Sequence, residues 1–244
     1  MVPALSSLWN GLVRPESYFD DRPPAETLGV AFAIVAVFAF ALAISILTMG
    51  TVLADSTEIT ETVDNPDRPS EAICEQYGDD PHSPYGDRCD EPETIERDGS
   101  DAIMDAVSGY AGIGLVSTFV LWVLAGGVLY AGGRLAGGTP SFRGSLALAG
   151  WAALPEFGRL AVGLGGLWVG LDGVTLTDPE NAVETLRVAM EPIDPILVFV
   201  SLLTAAIQWR LLTGGMIHEG ELSRPAAALC TGVPLGLFVL ISLA

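Results

Sequence analysis

The chain has 244 residues, half of them hydrophobic, and a positive mean hydropathy. It carries 30 acidic and 11 basic residues, a net charge of −19, and every basic residue is Arg. Such a chain has no basic patch for nucleic-acid phosphates, and its apolar residues fall in long uncharged blocks, which excludes an ordinary soluble domain.

Residues 1–26 form a short N-terminal segment in which Leu5, Leu8, Trp9, Leu12 and Val13 recur at helical spacing. This predicts a small helix, either lying at the membrane surface or packed on a helical bundle. Residues 27–53 contain no charge and exceed the roughly 20 apolar residues needed to cross a bilayer. Val52-Leu53-Ala54 resembles a cleavage site, but the block is far longer than a signal core, so a retained first span is expected.

Residues 54–105 are the one large polar segment, with 17 acidic residues and three Arg. Asn65-Pro66-Asp67 and Asp79-Asp80-Pro81 are turn signals without sustained periodicity, so a solvated loop is expected and a folded domain is not. The acids could bind metal or could hydrate the protein in concentrated salt, as in halophiles. The absence of Lys and of ligand spacing favours salt adaptation. Cys74 and Cys89 share this loop and can form a disulfide if it faces an oxidising compartment. With only His82 between them they make a weak zinc site. Cys230 lies in an apolar block and reads as a small core residue.

Further spans are expected at about 106–133, 144–171, 195–212 and 225–244. The block at 144–171 is interrupted by Pro155, Glu156 and Arg159. It is either one helix kinked at Pro155 or a re-entrant hairpin. Glu156 and Arg159, at i, i+3, form an intramembrane polar pair, structural at the kink or lining a transport path. Small-residue spacings at Gly133/Gly137, Gly166/Gly170 and Gly232/Gly236 suggest helix packing within the bundle or between copies.

Arg density orients the chain. With five spans and the N-terminus inside, Arg14, Arg22, Arg134, Arg143, Arg210 and Arg224 fall in three short inner segments. Arg68, Arg88, Arg97 and Arg187 fall in two longer outer ones. The expected fold is therefore an all-α polytopic bundle of five spans, C-terminus outside, in the cell membrane. This orientation favours a crossing third block over the hairpin.

No catalytic, cofactor or metal constellation is legible. His82 and His218 have no partner at ligand spacing, no Gly-x-Ser-x-Gly elbow occurs, and a lysine-free chain cannot hold a Walker phosphate loop. No span holds a His that could serve an intramembrane serine protease.

Three short motifs remain: Arg14-Pro15-Glu16-Ser17-Tyr18-Phe19 before the first span, Leu135-Ala136-Gly137-Gly138-Thr139-Pro140-Ser141-Phe142-Arg143, and Ala149-Gly150-Trp151-Ala152-Ala153-Leu154-Pro155. Together they resemble the prokaryotic branch of the YIP (Ypt/Rab-interacting protein) family, over about residues 12–244, with a halophile-like composition. The resemblance implies five spans and a cytosolic N-terminus. It does not explain the long acidic loop, which departs from the family pattern. Eukaryotic members act in vesicle trafficking with small GTPases, a role that this short N-terminus gives no reason to carry over. The function expected is a non-enzymatic membrane scaffold or interaction protein. Its partners would be the lipid bilayer and other membrane proteins or further copies of itself. The alternatives are a small permease or channel using Glu156 and Arg159, and a membrane enzyme with an unseen site.

Overall fold

A computed structural model describes residues 9, 11–55, 60–77, 83, 85–171 and 179–243. Helix α1 (Pro15–Asp21) leads through a 3-10 turn (Pro24–Thr27) into α2 (Leu28–Asp55). The acidic segment follows as β1 (Thr60–Asp64), α3 (Glu71–Tyr77), α4 (Gly86–Cys89) and β2 (Thr94–Asp98). Then come α5 (Gly99–Leu135), α6 (Phe142–Trp151), α7 (Leu154–Leu171), α8 (Pro179–Met190), α9 (Asp194–Gly220) and α10 (Arg224–Leu243).

Four helical stretches, Pro24–Asp55, Ile103–Leu135, Asp194–Gly220 and Arg224–Ile241, are long and apolar enough to cross a membrane. No more than 28% of the most apolar stretch in any of them is buried. Their apolar side chains, such as Ile44, Leu124, Phe199 and Leu237, point outward. In water that would be a very large exposed apolar surface; in a bilayer it is the lipid-facing wall. Several hydroxyls in these helices are satisfied within their own helix, as when Ser45 Oγ donates to the Ala41 carbonyl at 2.7 Å.

The third apolar block is two helices and not one kinked rod. Helix α6 ends at Trp151, the chain turns at Ala152 and Ala153, and α7 starts at Leu154. Pro155 therefore occupies the first turn of α7, where its missing N–H is not needed. The pair of helices runs from end to end of the bundle. Ser141, before α6, bonds Glu219 at the C-terminal end of α9, while Gly166 and Gly170 of α7 lie against Ile193 just before α9 begins.

The other boundaries also move. Helix α9 continues through most of the loop expected at Thr213–Arg224, and α8 occupies part of the polar stretch expected at Asp172–Asp194. The acidic segment has more order than a solvated loop. Strands β1 and β2 pair antiparallel, Thr60 opposite Asp98 and Asp64 opposite Thr94. Asn65 donates from Nδ2 to the Glu91 carboxylate and the Pro92 carbonyl, at 3.2 and 3.1 Å. Arg68 donates to the Glu91 carbonyl at 2.9 Å and pairs with Glu93 at 3.3 Å. Cys74 and Cys89 are joined as a disulfide.

Buried side chains concentrate at the end of the bundle where α2, α6 and α10 begin and α5 and α9 finish. There Phe19, Leu148, Trp151, Leu211 and Met216 are almost fully buried in one cluster.

Candidate functional site

All three short sequence motifs meet at this packed end. Pro15 starts α1 and is buried, and Glu16 pairs with Arg224 at the start of α10. Tyr18 and Phe19 stack edge-on against Trp151, with ring centres 5.1 and 5.9 Å away. Trp151 Nε1 donates to Thr27 Oγ1 at 3.0 Å. Arg210 donates to the Val13 carbonyl at 2.8 Å, so α9 holds the N-terminal segment as well. Gly11 fits against the Trp151 ring, which places the described part of that segment on the bundle.

The glycine-rich turn after α5 is a helix stop. Gly137 has φ of +84°, Gly138 N–H donates to the Gly133 carbonyl at 3.0 Å, and Gly137 N–H to the Arg134 carbonyl at 3.1 Å. That is the bonding of a Schellman cap, which requires a left-handed residue at Gly137. Thr139 N–H then donates to the Gly220 carbonyl at 3.0 Å. Glu219 accepts from Ser141 N–H at 3.0 Å and from its hydroxyl at 2.6 Å, while Ser141 Oγ caps α6 by accepting from Gly144 N–H. A carboxylate at this helix start also suits the helix dipole.

The second polar feature lies at the break between α6 and α7. Arg159 Nε meets Glu156 Oε2 at 2.7 Å. Gln208 of α9 donates to Glu156 Oε1 at 2.8 Å and to the Ala152 carbonyl at 2.9 Å. Both Glu156 oxygens thus have donors, and the carbonyl exposed by the break has one too. Among the described residues nothing pairs with the terminal Nη groups of Arg159. Gln208 was not singled out in the sequence; a lone amide in an apolar helix was the available signal.

Glu156, Arg159 and Gln208 line a cavity of about 870 Å³. Its walls come from α2, α5, α7, α9 and α10 with Met190 of α8, and Ala149, Ala152 and Ala153 of α6 and the break contribute at the packed end. The lining is otherwise apolar except for the hydroxyls of Ser45, Ser117, Thr118 and Thr231. Each of these already donates to a carbonyl of its own helix.

Of the glycines in the small-residue spacings, Gly133 lies against Met216 and Pro140, and Gly166 and Gly170 against Ile193. Gly232 lies against the Trp209 indole. Gly236 faces open space, and Gly137 serves the turn and not a helix contact. Close backbone approaches also occur at positions without that spacing, the tightest at Gly138, where a Cβ would lie 2.5 Å from the Gly220 carbonyl oxygen. A Cβ at Gly126 would lie 2.9 Å from Leu146 Cα, and one at Gly150 would lie 2.9 Å from the Ala31 carbonyl oxygen.

His82 lies outside the described residues. His218 Nδ1 is 3.7 Å from Asp20, and among the described residues no group of three potential ligands could hold a metal. Cys230 is a free, partly buried thiol whose Sγ contacts the Ala227 carbonyl oxygen at 3.3 Å.

Comparison with known proteins gives one result. No match was found among curated proteins or among solved structures. The family model described as the Yip1 domain matches residues 9–244, which takes in all three motifs and every span. The chain is thus a membrane protein that belongs to the Yip1-domain family.

Proposed function

We propose that this protein is a non-enzymatic scaffold or interaction component of the cell membrane, with the packed, arginine-rich end in the cytoplasm and the acidic segment outside. The observation that carries this reading is where the polar side chains are used. Glu16, Glu219, Arg210 and Gln208 each join one helix or segment to another. Arg14 and Arg143 add cations at the same end that have no partner among the described residues, suited to acidic lipid headgroups or to a partner's acidic residues.

The test is affinity purification from the native membrane together with a solute-flux measurement in proteoliposomes. A protein that co-purifies stably, with no flux, is the expected outcome. Flux abolished by Glu156→Gln, with no co-purifying protein, would replace the scaffold by the second reading, a small permease. That reading is favoured by one specific observation. The break between α6 and α7 lies within a helix pair that reaches from end to end of the bundle and carries a charged pair facing a cavity, and broken helices of this kind form substrate sites in transporters.

A further inference from the structure

The cavity holds more than the helix break needs. It is a partly open cleft between helices, and a gap of this size beside a close-packed core needs an occupant. It has a volume of about 870 Å³ and an almost wholly apolar lining. Water does not fill such a space well, because each molecule needs two to four polar partners. The four hydroxyls in the wall already donate within their helices, and both Glu156 oxygens are occupied. The cavity is also elongated. From Val35 to Met49 along α2 it extends about 21 Å at 1.5 Å per residue.

Among the described residues, the charged group in the wall with donors to spare is Arg159. Arg159 bonds Glu156 through Nε, so its terminal nitrogens are left for an acceptor. Glu156 offsets the Arg159 charge, which removes any need for a fully charged ligand.

We propose that the cavity binds a single-chain amphiphile. Its acceptor head, a carboxylate or carbonyl oxygen, sits against the Arg159 Nη groups, and its hydrocarbon chain lies along the cavity toward Met49 and Phe238. A long-chain fatty acid and an isoprenoid quinone share this chemistry. The site goes beyond the scaffold role: it borders the packed end through Ala152 and Leu212, and no protein partner enters it.

The experiment uses the full chain in phosphatidylcholine nanodiscs. Two photoactivatable probes are compared, a long-chain fatty acid and an isoprenoid quinone, and labelled peptides are identified by mass spectrometry. Gly163 lines the cavity with open space where its side chain would be, so Gly163→Leu fills the site. Leu164→Phe is a second filler, and thermal unfolding shows that each variant is folded. Labelling of the α7 and α10 linings by at least one probe is expected, reduced at least tenfold in whichever filled variant folds. The probe that labels tells carboxylate from carbonyl. Absence of labelling by both probes, or equal labelling in a folded, filled variant, would overturn the proposal. Loss of the co-purifying partner would bear on the scaffold reading alone.

Discussion

Trp151 and Thr27, 124 residues apart, are joined by an indole-to-hydroxyl hydrogen bond of 3.0 Å in the buried end of the bundle. The Thr27 hydroxyl in turn donates a hydrogen bond to the Pro24 carbonyl at 2.8 Å, so the 3-10 turn that leads into α2 is tied to α6 by one chain of bonds. Thr27→Val should leave the indole N–H unsatisfied and lower stability by about 1–3 kcal/mol. Trp151→Ala should remove the ring as well and lower it by about 3–5 kcal/mol. Thermal unfolding in detergent would measure both, and equal, small effects would show that the bond carries no weight.

Glu156→Gln should destabilise more than the double change Glu156→Gln with Arg159→Gln. The single change leaves the Arg159 charge without its partner inside the bundle. Because the Arg159 side chain is 40% exposed, we expect a difference of about 1–2 kcal/mol, below the value for a fully buried pair. Identical melting of the single and double variants would argue against a structural pair.

Gly126→Ala should be destabilising by about 1–3 kcal/mol, because the new methyl meets the α6 backbone at Leu146. Gly236→Ala meets open space in the middle of α10 and should be neutral or stabilising by up to about 1 kcal/mol. The contrast is read by parallel unfolding curves. A neutral Gly126→Ala would mean that the two helices separate easily.

Replacing Cys74 and Cys89 by Ser should loosen the acidic segment and leave the spans intact. Closing a loop of separation 15 constrains the unfolded chain by roughly 3 kcal/mol. Limited proteolysis of the double variant should cut between residues 60 and 98 much faster than in the parent. Helical content by circular dichroism should stay unchanged.

Glu221 caps α9 with φ of +51°, a conformation that costs a non-glycine residue about 1–2 kcal/mol. Glu221→Gly should recover about 1 kcal/mol of it, seen as a higher unfolding midpoint. A lower midpoint would show that the Glu221 side chain contributes more than the backbone strain removes.

Hydropathy was enough for four of the five expected spans, because a stretch without charge and longer than the bilayer has few other folds. Loop composition was a weaker guide. The five-residue strands at Thr60–Asp64 and Thr94–Asp98 have too few apolar residues to show an alternation, and their pairing depends on partners far along the chain. The helix break at Ala152 and Ala153 was displaced in the reading toward Pro155, the residue with the obvious signal. Proline, however, is accommodated in a first helical turn as readily as it ends a helix. Gly126 and Gly150 were hidden for a different reason. Which glycines meet a neighbouring backbone depends on helix rotation, and one sequence does not specify that. Glu156 and Arg159 were legible as charges in an apolar block, whereas Gln208, Glu219 and Thr27 become significant only through partners on other helices.

A bundle packed solid across one half and hollow in the other has two mechanical stiffnesses. The side chains around Trp151 are almost fully buried, and the stretch from Val35 to Met49 borders a cleft of about 870 Å³. Hydrostatic pressure or a rise in bilayer lateral tension therefore acts unequally along the same helices. The half beside the cleft is expected to yield more than the half built on Trp151.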